Sequence, residues 1–134
     1  MQRLQYLEPL APGGGIDASI AEMTRYALFQ LDAASPSDPR IVSASVLAEL
    51  HRPQIAVGPG WAPERIHNLH YALGWFTGDD GDTHLIFHSG GNPGYRSMIV
   101  LVPAAKTGVV VLTNSEAGRF TADAAQRLLE PLLR

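Results

Sequence analysis

The chain of 134 residues contains no cysteine, and this absence excludes a disulfide framework, a thiolate metal site and a cysteine nucleophile. No apolar run approaches the roughly 18 residues of a membrane-spanning helix, so we expect no membrane span. The first twenty residues lack the apolar core of a signal peptide, so we expect no export signal in the chain. The compartment stays open.

The chain also has no strong excess of positive or negative charge. Ten Lys and Arg stand against thirteen Asp and Glu, which gives a net charge of −3, and neither sign is clustered. Nucleic-acid binding needs a basic stripe that neutralises phosphates, so nucleic acid is not an expected partner. With 46% hydrophobic residues the composition is globular, and the length suits one domain without an internal repeat.

Helix signals come first along the chain, and strand signals follow. Ser19 and Glu22 have capping-box spacing, which predicts a helix over about 20–31. Ser43 predicts the N-cap of a short helix that ends before Pro53. Strand-like runs follow at 71–77, 83–89, 96–103 and 108–115, with residues 53–66 irregular and 90–94 a loop.

An amphipathic segment with Thr121 as its N-cap predicts one more helix at the end. The last two strand-like runs are apolar almost throughout, which indicates burial on both faces of their sheet. The order of elements therefore predicts an α+β fold, with an antiparallel sheet of about four strands covered by helices.

The segment that follows the apolar residues of the second strand-like run is the first candidate for chemistry. From His88 to Gly94 it reads His-Ser-Gly-Gly-Asn-Pro-Gly, which lets a ligand approach the main chain closely. Free amides at a strand edge can pair with a peptide-like ligand or hold the oxyanion of an acyl-transfer intermediate. The same residues also fit a plain β-turn, and the residues alone leave both interpretations open.

Four histidines raise the possibility of a metal site: His67, His70, His84 and His88. His84 and His88 share one face if their strand is regular, and a small metal-binding domain built on this pair is one hypothesis. Zinc needs three or four ligands, and the neighbouring carboxylates here belong to a loop. We therefore expect neither a metal nor a cofactor.

Two common serine-nucleophile motifs are absent. Phe87 occupies the first glycine position of a Gly-x-Ser-x-Gly motif around Ser89. A Ser-x-x-Lys motif needs a serine three residues before its lysine, but the residue three positions before Lys106, the only lysine, is Pro103. The triplet Lys-Thr-Gly at 106–108 lies between two strand-like runs, so we predict a hairpin turn there with Gly108 at positive φ.

Taken in order, several segments resemble the C-terminal part of the serine β-lactamase-like family. The family includes class C β-lactamases, related esterases, D-aminopeptidases and low-molecular-weight penicillin-binding proteins, many of them exported. The resemblance begins with a glycine turn and Ser-capped helix at 12–26, continues with Tyr-Ala-Leu-Gly-Trp at 71–75, and is closest over 88–115. In this alignment His88-Ser89-Gly90 stands at the family's Lys-Thr-Gly box, as the His-x-Gly variant.

The resemblance implies roles for residues of this box. Gly91 would donate a backbone N–H to an oxyanion hole, and Ser89 would bond the substrate carboxylate or carbonyl. His88 would help to position the general base or the leaving group. The residues implied to bind the substrate beside them are Gly90, Asn92 and Tyr95. Loss of the box lysine favours an esterase or peptidase over penicillin-type recognition.

The family's Ser-x-x-Lys and Tyr-x-Asn motifs precede all of these segments, and neither occurs in the chain. We therefore hypothesise that residues 1–134 are a partial domain, the C-terminal segment of a serine hydrolase. It would act on a small ester, amide, β-lactam or peptide only when completed by an N-terminal half, and would be inactive alone. The alternative is a non-catalytic module that binds a second copy or a complementing chain through an open sheet edge.

Overall fold

The structure is a computed structural model that describes residues 11–31, 42–117 and 119–132. The helices are α1 (Ala11–Gly14), α2 (Ile20–Leu31), α3 (Ala44–His51) and α4 (Phe120–Leu129), with 3-10 turns at Pro103–Ala105 and Glu130–Leu132. The strands are β1 (Ile55–Ala56), β2 (Ile66–Tyr71), β3 (Phe76–Asp80), β4 (Thr83–Asn92), β5 (Tyr95–Val102) and β6 (Thr107–Thr113). They form one antiparallel sheet in sequence order.

Local capping positions the first two longer helices. The Glu22 carboxylate accepts the Ser19 N–H at 2.7 Å, and the Glu22 N–H points back to the Ser19 hydroxyl at 3.4 Å. The hydrogen bond from the Ser19 backbone, followed by that from its hydroxyl, lowers the pKa of Glu22. Ser43 caps α3 by accepting the Val46 N–H at 3.3 Å. Both predicted helices are confirmed.

Helices α2 and α4 cover opposite faces of the sheet, which we call the α2 face and the α4 face. On the α2 face, Ala27 packs in one cluster with Ile86 and Leu101. On the α4 face, Ala125 and Leu129 pack against the residues that alternate with these, Leu85, Val100, Val102 and Val109. The predicted α+β class is confirmed. Burial on both faces was predicted for the last two strand-like runs; it holds for β5, where Ile99 to Val102 are buried, but not for β6, where Val109 is buried and Leu112 is 37% exposed.

The sheet has six strands rather than four, and residues 71–77 are not one strand. Strand β2 ends at Tyr71, and the Ala72 N–H then bonds to the Trp75 carbonyl at 2.7 Å in a tight turn. Gly74 sits in this turn at φ 84°, a conformation that residues with a Cβ rarely adopt. The region 53–66, predicted to be irregular, contributes the short strand β1 and the start of β2.

The prediction of a loop at residues 90–94 was also wrong. Pairing with β5 extends β4 as far as Asn92, opposite Tyr95, and only Pro93 and Gly94 form the turn. In the next hairpin, Lys106 and not Gly108 has positive φ, at 48°, because the 3-10 turn from Pro103 ends there. Gly108 lies within β6, where a Cβ would approach the Val100 carbonyl to 2.8 Å.

Helix α4 begins two residues earlier than predicted, because its N-cap is Arg119 and not Thr121. Arg119 makes no side-chain capping bond. Thr121 lies inside the first turn and is 4% exposed. It shares the buried side of the helix with Ala125 and Leu129, so its side chain belongs to the packing and not to the cap.

Candidate functional site at the free edge of strand β4

Strand β4 is longer than the strand before it. β3 pairs with β4 from Asp80 opposite Thr83 to Phe76 opposite Phe87, and the turn around Gly74 ends it there. Beyond Phe87, β4 pairs with β5 alone. Within the described ranges, the other edge of residues 88–92 therefore has no strand partner, and we call it the free edge.

The geometry of the β3–β4 hairpin determines which backbone groups of β4 point toward β3. Gly81 and Asp82 form a two-residue turn between Asp80 and Thr83. Residues that flank a two-residue turn exchange backbone hydrogen bonds, and the direction then alternates along the strand. The odd-numbered residues of β4 therefore point their N–H and C=O groups toward β3 or, past its end, toward the free edge.

The second hairpin leads to the same assignment independently. Pro93 and Gly94 form a two-residue turn between Asn92 and Tyr95, so the even-numbered residues of β4 bond to β5. Both hairpins agree that the N–H and C=O groups of residues 89 and 91 point to the free edge. Both N–H groups and the Gly91 carbonyl are groups that a ligand lying alongside the strand can reach, whereas the Ser89 carbonyl already bonds to the His88 ring.

The His88 side chain is held at the start of the free edge. Its Nδ1 lies 2.6 Å from the Ser89 carbonyl oxygen, which can only accept, so Nδ1 donates. In the neutral ring, Nε2 then accepts the hydroxyl proton of Tyr71 at 3.1 Å. The Phe76 ring lies beside the imidazole, with 5.6 Å between centroids. Tyr71 was missed as a site residue, although the motif Tyr-Ala-Leu-Gly-Trp was a signal for it.

The Ser89 side chain lines a cavity of about 160 Å³ on the α4 face, together with Phe76, Phe87 and Met98. The hydrogen bonds of the His88 ring run to Tyr71 and to the Ser89 carbonyl, and not to the Ser89 hydroxyl. The structure therefore brings the backbone of the predicted box residues to one edge but does not join the His88 and Ser89 side chains by a hydrogen bond.

The two glycines of the segment are each close to a side chain of β5. A Cβ on Gly90 would collide with the Ser97 hydroxyl, and one on Gly91 would lie 3.4 Å from Arg96. Arg96 bridges the turn, since its Nη1 donates to the Asn92 carbonyl at 2.8 Å and to the Tyr95 carbonyl at 2.7 Å. The pairing keeps this half of β4 extended despite its glycine content.

Two distant segments meet the end of β4. The Asn92 side-chain amide donates to the Gly14 carbonyl at 3.3 Å, which brings the end of α1 to the site. The Glu116 carboxylate accepts the Gly94 N–H at 2.6 Å, from the loop after β6. Tyr95, the other residue expected to bind substrate, is 55% exposed beyond the turn.

The two histidines considered for a metal site belong to separate networks. His84 Nδ1 lies 2.8 Å from Asp79, whereas His88 bonds to Tyr71 and to the Ser89 carbonyl. Hydrogen bonds from Asn68 and then from His84 lower the pKa of Asp79. Over residues 11–31, 42–117 and 119–132, no three His, Cys, Asp or Glu side chains are grouped to hold a metal ion.

No helix in the described part of the chain is both long and apolar enough to cross a bilayer. The fold is of the β-lactamase type: an antiparallel sheet between helices, with a His-Ser-Gly-Gly segment where β4 extends beyond β3. The family model named Beta-lactamase matches residues 2–132. The chain belongs to this family.

The chain is also similar to parts of individual proteins. The chain superposes on the octameric penicillin-binding protein homologue from Pyrococcus abyssi with a TM-score of 0.72 and 27% identity, over 87% of this chain and 24% of that one. Protein flp from Staphylococcus aureus strains NCTC 8325 and COL is 50% identical over 44 residues, which are 33% of this chain and 8% of flp. The chain thus corresponds to a small part of each relative.

Proposed function

We propose that this chain supplies one wall of a serine hydrolase active site, which transfers the acyl group of an ester, amide or β-lactam to water. The observation that carries the proposal is the free edge of β4, where the backbone groups of Ser89 and Gly91 point outward beside His88. Fixed N–H donors stabilise an oxyanion strongly because they need no reorganisation when the charge develops. Membership of the Beta-lactamase family supports the reaction class.

In this proposal the substrate lies extended along the free edge. The Gly91 N–H donates to the carbonyl oxygen that gains negative charge when a serine attacks it. His88, oriented by Tyr71 and the Ser89 carbonyl, positions the general base or the leaving group. Ser89 offers its backbone to the substrate along the same edge, and Asn92 and Tyr95 border the substrate at the turn.

The nucleophile of the proposed reaction comes from outside these 134 residues. A serine nucleophile needs a base within hydrogen-bond reach. The Ser89 hydroxyl lines the cavity on the α4 face, while His88 bonds to Tyr71, so this pair does not form such an arrangement. The sequence has no Ser-x-x-Lys motif. We propose that the chain acts as the C-terminal segment of a hydrolase whose N-terminal half carries that motif.

The test is to mix the chain with a separately produced polypeptide that carries the family's Ser-x-x-Lys helix, and to measure turnover of nitrocefin and p-nitrophenyl acetate. We expect no turnover by the chain alone and turnover by the mixture. Gly91→Pro removes the edge N–H and should lower kcat about 100-fold or more, the usual effect of losing one oxyanion donor. Gly91→Ala keeps the N–H and is the matched control.

Equal turnover by Gly91→Pro and Gly91→Ala would contradict the oxyanion role. Turnover by the chain alone that Ser89→Ala abolishes would contradict the external nucleophile.

The alternative function is non-catalytic association through the other end of the sheet. Strand β6 pairs with β5 only, so within the described residues its outer edge is open, and its sequence Thr-Gly-Val-Val-Val-Leu-Thr is apolar. An open apolar edge favours pairing with another chain, and the Pyrococcus abyssi relative is an octamer. A dimer in sedimentation equilibrium that Leu112→Pro dissociates, with no turnover in the mixing experiment, would favour this function.

A further inference from the structure

The cavity on the α4 face adjoins the free edge. It has a volume of about 160 Å³ and lies between the sheet, helix α4 and the loop before β2. Its lining includes Phe87 and Met98 of the sheet, the aromatic residues Trp61 and Phe76, and Ala122 of α4. The Phe76 ring stacks on Phe87 at 5.5 Å and lies 6.0 Å from Trp61, so three aromatic rings follow one another along the cavity.

Ser89 links the cavity to the free edge. Its side chain lines the cavity, while its backbone N–H and C=O point to the edge where β3 has ended. In an antiparallel pair, residues directly opposite each other place their side chains on the same face of the sheet. A ligand residue paired with Ser89 would therefore direct its side chain over this cavity.

We propose that the cavity is a specificity pocket for one bulky apolar side chain, carried by a peptide-like ligand that lies extended on the free edge. The inference rests on the proposed function, because it takes this edge as the substrate-binding edge, and it adds the class of substrate. A cavity of about 150 Å³ accepts benzene, so this one has room for a phenyl ring or a branched aliphatic group. Its aromatic walls favour a ring. Arg65, the charged residue of its lining, is already paired with Asp80.

The sequence provides its own reporter for binding. It has two tryptophans: Trp61 is 70% exposed at the cavity, and Trp75 is 4% exposed in the cluster of the α2 face. The fluorescence of the full chain is followed during titration with N-acetyl-phenylalanine amide, N-acetyl-alanine amide and toluene. We expect a saturable change with the phenylalanine amide, and about tenfold or more weaker binding of both other probes. Trp61→Phe should remove the signal.

Filling the cavity tests its position. Ala122→Phe places a ring in the space that the ligand side chain would occupy and should weaken binding of the phenylalanine amide about tenfold or more. Leu128→Phe adds the same ring to the same helix at a position that is 54% exposed, and it should bind as the unaltered chain does. Ala62→Leu fills the cavity from the loop side, in case α4 does not fold with the larger residue.

Equal binding of the phenylalanine and alanine amides would overturn the proposal, and so would binding that neither filling variant weakens. If toluene bound as tightly as the phenylalanine amide, the cavity would bind its ligand without help from the free edge. If the fluorescence change depended on protein concentration, a second copy of the chain would be the occupant. Each of these results overturns the peptide-like ligand. The titration needs no turnover, so its failure and a failure of the Gly91 experiment remain distinguishable.

Discussion

The two halves of strand β4 have the same backbone conformation but different surroundings. The first half pairs with β3 and contributes Leu85 and Ile86, which are 5% and 4% exposed between helices on either face. The second half, residues 88–92, pairs only with β5 and consists of small and polar residues. The comparison shows how one strand can belong to the core and also offer a candidate site: pairing on one side holds the strand extended while the other side keeps its amides free.

The largest expected difference between the halves concerns side-chain truncation. Ile86→Ala removes buried carbons from the α2 face and should lower the free energy of unfolding by about 2–5 kcal/mol. Ser89→Ala, in the exposed half, should change it by about 0.5 kcal/mol or less. Urea denaturation followed by circular dichroism measures both values. Similar losses for the two variants would mean that residues 88–92 are part of the packed core.

A smaller difference is expected between two adjacent glycines. Gly90→Pro removes an N–H that bonds to β5 and adds atoms against Ser97, whereas Gly91→Pro removes an N–H that points to the free edge. The first variant should be less stable than the second by about 1–3 kcal/mol, the cost of leaving a backbone group unpaired. Equal stabilities in urea denaturation would refute the assignment of the amides of residues 89 and 91 to the free edge.

Local signals in the sequence predicted the helices well, and pairing over longer distances explains the errors. Ser19 and Ser43 act within three residues of themselves, so their caps could be predicted. Strand β2 reads Ile-His-Asn-Leu-His-Tyr and is only partly buried, so neither its composition nor its periodicity indicated a strand. The glycines at 90 and 91 are extended because β5 pairs with them, and their own preference gave no sign of it.

The position of the candidate site in the fold was predictable in part for the same reason. The segment from His88 to Asn92 was recognisable by its residues, and the structure places it at a strand edge. Tyr71, which orients His88, lies 17 residues earlier in the chain and reaches it only through the sheet. Trp61 sits in a loop without a periodic pattern, so only the folded structure shows that it lines a cavity.

The last prediction concerns a histidine in the packed part of the molecule. His51 Nε2 lies 2.8 Å from the side-chain oxygen of the buried Gln30, and the His51 ring contacts the edge of Trp75 at 5.5 Å between centroids. Burial, and to a smaller extent the charge of His84, lowers the pKa of His51. The unfolded chain therefore takes up a proton near the ordinary histidine pKa of about 6.5, while the folded chain takes it up only at lower pH.

The sign of the pH dependence follows from this difference. The contribution of His51 to stability is complete well above pH 6.5 and decreases as the pH falls through the unfolded pKa toward the folded one. His51→Gln has no charge to gain and should flatten the part of the stability profile between about pH 7.5 and 5.5 that this residue causes. Urea denaturation at both pH values measures the change, with His67→Gln, on the exposed β2 surface, as the matched control. If His51→Gln and the unaltered chain lost the same free energy of unfolding on acidification, burial of His51 would not contribute to the pH dependence of stability.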